Sequence, residues 1–186
     1  MLTDRFDDAL TLAARLHRNQ KRKVSNIPYI SHLLAVAALV LEHGGDEDQA
    51  IAALLHDAVE DQGGLDTARM IRTRFGDRVA DCVLACSDST DLDKAPWTQR
   101  KESYLAALAT KSADALLVTS CDKLHNARSI LADMDEVGAG VFERFTAKRD
   151  GTLWCYRALA DELSRLRPGP LSARLDATVR EIESRA

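Results

Sequence analysis

A histidine and three carboxylates, His56, Asp57, Glu60 and Asp61, break the apolar run AALLHDAVED at residues 52–61. On a helix, at about 100° per residue, these four side chains fall within an arc of roughly 140°. Ile51, Leu55, Ala58 and Val59 take the opposite side. Glu60 is one turn from His56, and Asp61 one turn from Asp57. Three acids on one edge repel, and no lysine or arginine stands three or four residues on to relieve them. A solvated helix face is the plain alternative; a dication is the chemical one. Adjacent His and Asp offer one nitrogen and one oxygen, suited to manganese, iron or zinc. The two remaining carboxylates could then activate water.

A metal needs more ligands. His32 lies in YISHLLAVAALVLEH, a segment apolar on nearly every side, where a buried imidazole must find a partner. Asp122 follows the apolar half of ALLVTSCDKLHNARSIL, with Asn126 and Ser129 on its face at i+4 and i+7. A second polar stripe therefore marks a second core helix. A basic, polar loop over residues 19–28 carries Arg22 and Lys23, and an aspartate-rich loop covers residues 87–96. His17 and His43 fall near helix C-termini, where a cation suits the helix dipole. His125 adjoins the Asp122 face, as packing or as support to it. Trp97, Trp154 and Tyr156 read as core.

The elements that must position these groups are helices. Strand signals are almost absent, and apolar residues recur at three and four. The spacing predicts helices near 3–19, 29–43, 47–60, 65–74, 77–86, 97–109, 113–131, 147–166 and 170–184. Asp46 with Gln49 resembles a capping box, and Ser112 can cap the long helix after it. Glycines at 44–45, 63–64 and 76 separate elements. The expected fold is all-α, one bundle of about eight or nine helices over residues 1–166. Residues 167–186, beyond Pro168-Gly169-Pro170, are expected to form a helical tail packed on or beside it.

Composition restricts function. The 186 residues suffice for one domain with a sizeable core. A net charge of −4 without a long basic block argues against a nucleic-acid binder. No apolar run approaches the ~20 residues of a membrane span. The acidic start MLTDRFDDAL lacks a signal-peptide pattern, so a cytoplasmic address is expected. Cys82, Cys86, Cys121 and Cys155 contain no C-x-x-C pair and read as buried free thiols.

The order of these motifs resembles the HD-domain phosphohydrolase superfamily, and within it the hydrolase domain of the RelA/SpoT family, above all the stand-alone small alarmone hydrolases. The matching pieces are Arg22-Lys23, PYISH at 28–32, AALLHDAVED at 52–61, RFGDRVA at 74–80 and DKLHNARSI at 122–130. The resemblance implies one divalent metal, manganese, held by His32, His56, Asp57 and Asp122. It implies that Glu60 and Asp61 orient and deprotonate water. It implies that Arg22, Lys23, Asn126 and Ser129 contact a nucleotide, and that the reaction removes the 3′-pyrophosphate of a guanosine alarmone, (p)ppGpp. The chain departs from the family pattern in a base loop about one residue longer, in Leu33 after His32 where proline is usual, in Lys123 for arginine, and in Ser129 for threonine. In 186 residues no synthetase is expected beside the hydrolase. At this level an adenosine alarmone, a nucleoside monophosphate, NADPH, or a catalytically silent nucleotide-binding module stay open, and the oligomeric state is unreadable.

Overall fold

Ala50 to Leu55 are all fully buried, so the segment before His56 is surrounded on every side. The computed structural model describes residues 1–22, 26–87 and 95–186. They form α1 (Asp4–Leu16), α2 (Ile30–Glu42), α3 (Glu47–Leu55), α4 (Ala58–Asp61), α5 (Gly64–Phe75), α6 (Asp77–Cys86), α7 (Trp97–Ala107), α8 (Ala113–Val137), α9 (Lys148–Leu166) and α10 (Pro170–Arg185). No strand occurs among the described residues. Their only sheet-like feature is an isolated bridge between Lys21 and Pro28. The all-α reading holds. With α3 and α4 taken as the one helix expected there, the described residues form nine α-helices.

α3 is the axis, packed against α1, α2, α6 and α8. Its start follows from chemistry. Asp46 accepts from the Gln49 amide at 3.0 Å while the Gln49 side chain accepts from the Asp46 amide at 2.8 Å, closing the expected capping box. α8, the longest helix, runs between α2, α6 and α10 and also touches α3 and α9. Ser112 caps it, accepting from the Ala115 amide. Arg78 ties the two helix starts together, donating to both Asp114 and Asp46 at 2.7 Å. Gly76, at φ 93°, turns the chain between α5 and α6 in a conformation that side chains rarely adopt.

Two boundaries differ from expectation. The helix expected over 47–60 is interrupted: α3 ends at Leu55 and α4 begins at Ala58. The His56 ring donates from Nδ1 to the Ala53 carbonyl at 2.8 Å. Asp57 sits at φ −96°, ψ −2°, in the bridge region at the edge of the helical well. The long helix expected to end at 131 continues to Val137, because no breaker occurs before Gly138 at φ 61°. Trp154 is not core. It stands 42% exposed, its ring meeting Trp97 edge-on. The four cysteines are free, and three of them are buried. Among the described residues no helix is long and apolar enough to cross a membrane.

α10 lies against α8 and α9 and buries Leu171, Leu175, Val179 and Ile182. Arg157 in α9 adds a contact to Asp176 at 2.5 Å. If residues 167–186 contribute to the core, Leu175→Ala should destabilise the whole chain by about 2–5 kcal/mol, the usual range for a buried Leu→Ala change. Chemical denaturation monitored by circular dichroism checks this. An unchanged midpoint would mark α10 as an appendage.

Candidate active site

The break between α3 and α4 converts neighbours in sequence into neighbours at a point. On an uninterrupted helix His56 and Asp57 would diverge by about 100°. Here Nε2 of His56 lies 3.0 Å from Oδ2 of Asp57. His32, in the first turn of α2, brings its Nε2 to 3.6 Å from the same oxygen. Asp122, in mid-α8, places Oδ1 at 3.2 Å from His32 Nε2 and 3.7 Å from His56 Nε2. Two imidazole nitrogens and two carboxylate oxygens thus converge from α2, the α3–α4 break and α8.

Hydrogen bonds on the far side of each ring settle which nitrogen faces inward. The His56 Nδ1 proton is committed to the Ala53 carbonyl. His32 Nδ1 lies 2.8 Å from Nδ1 of His125. Burial, with His32 and Arg22 nearby, lowers His125 to about 4, so that ring is neutral and can accept from His32. Both Nε2 atoms then face the centre, the direction a metal ligand requires. Burial lowers the His56 pKa, but Asp57 and Asp122 outweigh it and raise it well above its usual value, so a metal would bind there by displacing the Nε2 proton. His56 Nε2 is buried and, although 3.0 Å from Asp57 Oδ2, makes no well-aligned hydrogen bond to any described residue. Such an orphan nitrogen, beside two carboxylates, is what a divalent cation would satisfy. The ligand atoms of His32, His56 and Asp57 all lie within 4.8 Å of one another. The donor set fits a borderline dication.

Both carboxylates are held ionised, the form a metal would take. Burial pushes Asp57 up, but the imidazoles of His56 and His32 outweigh it and hold the carboxyl well below its usual range. Burial also raises Asp122, and Lys123 and the same imidazoles bring it well below. The Lys123 ammonium meets Asp122 Oδ2 at 2.7 Å and rests over the Tyr104 ring. Asn126 donates to Asp122 Oδ1 at 2.5 Å. Tyr29 donates its hydroxyl to Asp57 Oδ2 at 2.6 Å. Burial and the Asp57 charge raise the Tyr29 pKa, so the phenol keeps its proton.

A cleft of about 580 Å³ opens beside the cluster. Asp57, Glu60, Asp61, Arg22, Asn126 and Ser129 all line it. Arg22 reaches across to donate to Asn126 Oδ1 at 2.8 Å, which joins the basic loop to α8. Ser129 donates to the His125 carbonyl at 3.0 Å and keeps its oxygen available as an acceptor. Lys23 lies outside the described residues, as does most of the aspartate-rich loop. Tyr156 lines the cleft as well as packing on the core. Gln20 and Tyr29 also line it, though neither carries a site role in the sequence reading. Tyr29 had a signal, three residues before His32 in PYISH; Gln20 had only its place in the loop. His17 is buried rather than a solvated cation at a helix end, and burial lowers its pKa. His43 does close its helix, donating to the Leu39 carbonyl.

The HD domain profile matches residues 9–153. The chain belongs to the HD domain family. Among similar proteins, the guanosine-3′,5′-bis(diphosphate) 3′-pyrophosphohydrolase of Xenopus tropicalis is 37% identical over 126 residues, covering 66% of this chain and 68% of that protein. The Drosophila melanogaster protein of the same name is 33% identical over 129 residues, covering 68% and 69%. The GTP pyrophosphokinase of Streptomyces coelicolor is 36% identical over 130 residues, 67% of this chain. The match spans only 14% of that longer protein. In three dimensions, a metazoan ortholog of SpoT described as hydrolysing ppGpp superposes with a TM-score of 0.80 at 26% identity, over 98% of this chain and 97% of that one. A protein from Listeria monocytogenes gives 0.71 at 28% identity, over 82% and 99%.

If the four convergent donors hold the metal, Asp57→Ala should leave it largely metal-free, since Asp57 approaches both imidazoles. Thermal stability should fall with the loss, because binding energy in such sites is also folding energy. Metal analysis after purification, beside a melting curve, checks both. A full metal complement would place the site elsewhere.

Proposed function

We propose that this chain is a divalent-metal-dependent hydrolase that removes the 3′-pyrophosphate of a guanosine alarmone, (p)ppGpp, with manganese as its metal and the cytoplasm as its compartment. One observation carries the reading: the His32, His56, Asp57 and Asp122 donors converge at a cleft that also exposes Glu60, Asp61 and Arg22. The relatives named for this reaction give the substrate class.

His32, His56, Asp57 and Asp122 would hold the metal, with Tyr29, Asn126 and Lys123 fixing the carboxylates and His125 and the Ala53 carbonyl fixing the rings. When bound, a dication would offset phosphate charge and lower the pKa of water toward ~7. Glu60 and Asp61, on the short helix α4 just past the ligands, accept the proton as water adds to the phosphorus next to the ribose 3′-oxygen. The P–O3′ bond breaks, the 3′-oxygen takes up a proton, and pyrophosphate leaves. Arg22 supplies positive charge and a planar face for the nucleotide where the acidic stripe cannot. Asn126 and Ser129 present hydrogen-bonding groups to the ribose or base, and Lys23 extends the same basic loop.

Incubation with manganese and a panel of phosphorylated nucleotides should give pyrophosphate from (p)ppGpp. Orthophosphate alone, or no product, would overturn the reading. Glu60→Gln keeps size but cannot accept a proton at neutral pH. It should lose ~10²–10⁴ in kcat while retaining metal and nucleotide binding. Near-normal turnover in both Glu60→Gln and Asp61→Asn would sink the mechanism. Arg22→Ala should raise KM with a smaller change in kcat, the pattern of lost uniform binding. An unchanged KM would move the base site to another segment.

A further inference from the structure

One hydrogen-bonded chain reaches Asp61 from outside the metal cluster. Gln20, just past α1, donates from Nε2 to Asp61 Oδ2 at 2.8 Å. Its Oε1 lies 2.6 Å from Gln62 Nε2 and 2.7 Å from His17 Nδ1. The directions follow from the charge. A carboxylate only accepts, so the Gln20 atom facing Asp61 must be the amide nitrogen. Its oxygen then faces Gln62 and His17, and both must donate. His17 therefore carries its proton on Nδ1. Burial lowers its pKa, consistent with a neutral ring holding that single proton. His17 is 2% exposed, its Nε2 has no hydrogen-bond partner among the described residues, and its ring stacks on Tyr29 with centroids 5.3 Å apart. Tyr29 in turn donates its backbone N–H to the Gln20 carbonyl at 2.9 Å and its hydroxyl to Asp57.

We propose that Gln20, seated by His17 and Gln62, is a positioning residue that fixes the Asp61 carboxylate for proton transfer and registers the Arg22 loop against α4. This rests on the activity proposed above. The Gln20 bond occupies one carboxylate oxygen; the other makes no hydrogen bond to any described residue and is the oxygen left to take the proton. The backbone of Gln20 anchors the start of the segment that carries Arg22, closed by the Arg22 N–H to Ile27 carbonyl bond at 2.9 Å. The side chain and the backbone of one residue thus hold proton acceptor and substrate loop in one frame. Gln20 need not touch the substrate to act.

The test measures kcat, KM for the guanosine alarmone and metal content in Gln20→Leu, alone and combined with Asp61→Ala. Gln20→Leu should lower kcat about 10- to 100-fold, the scale of misplacing a catalytic group by about 1 Å, with metal content unchanged. KM should stay within about threefold, because the backbone bonds that anchor the Arg22 segment do not need the Gln20 side chain. In the Asp61→Ala background the same change should cost less than about threefold, as expected for groups acting as a unit. Equal losses in both backgrounds, or an unchanged kcat in the single variant, would overturn the proposal. His17→Phe keeps the stack on Tyr29 and deletes the Nδ1 donor. It should give a smaller kcat loss that Asp61→Ala again suppresses, and it decides the matter if Gln20→Leu fails to fold. If the wild type releases no pyrophosphate from any alarmone, the activity reading falls. The Gln20–Asp61 cycle is then read from unfolding midpoints, where coupling supports the latch and additivity overturns it.

Discussion

Two imidazoles and two ionised carboxylates crowd one partly dry point, and the rest of the site exists to make that tolerable. An uncompensated buried charge costs several kcal/mol, enough to consume much of a domain's stability. The cluster is relieved partly from within: Lys123 against Asp122, Tyr29 against Asp57, Asn126 against Asp122. What those contacts leave unsatisfied is the inward-facing nitrogen of His56. A cation would answer that demand, and would give α2, the α3–α4 break and mid-α8 a reason to meet.

The surroundings fix orientation more than they add affinity. A histidine ligand is useful only in one tautomer, and each ring here is set by a hydrogen bond to its other nitrogen. His56 uses a backbone carbonyl one turn back; His32 uses the neutral ring of His125. The Ala53 bond also helps explain the helix break. A side chain that takes a last-turn carbonyl competes with the backbone for it, and the chain is redirected just where His56 and Asp57 point together. The helix break and the convergence of these two side chains are therefore one feature.

The cleft divides its labour by charge. Acids line the α4 side and Arg22 the loop side, while Asn126 ties Arg22 to Asp122 on α8, accepting from the first and donating to the second. A polyanionic nucleotide meets repulsion from the first wall unless a dication intervenes, and attraction from the second. Away from the cleft, Arg78 holds the acidic starts of α3 and α8 together, so the two core helices that carry His56 and Asp122 share an anchor at their N-terminal ends.

The sequence alone determined the fold class and singled out most of the polar side chains that the structure brings together. Helical periodicity, the Asp46–Gln49 box and the glycine stops are local, and local signals survive without tertiary knowledge. His32, His56, Asp57 and Asp122 were legible because polar ligands in apolar helices violate ordinary patterning, and the family resemblance gave that violation a chemistry. The break inside AALLHDAVED was not legible, since nothing there is a helix breaker and the bend depends on a ring turning back to its own carbonyl. Nor could the chain show that Gln20 lies against Asp61, or Tyr29 against Asp57. Those pairs are separated by 41 and 28 residues, and only the packing of α1 and α2 onto α3 brings them together. Residue type and spacing announce what chemistry is possible; which oxygen is held, and which nitrogen faces inward, is decided by contacts between elements that no local pattern encodes.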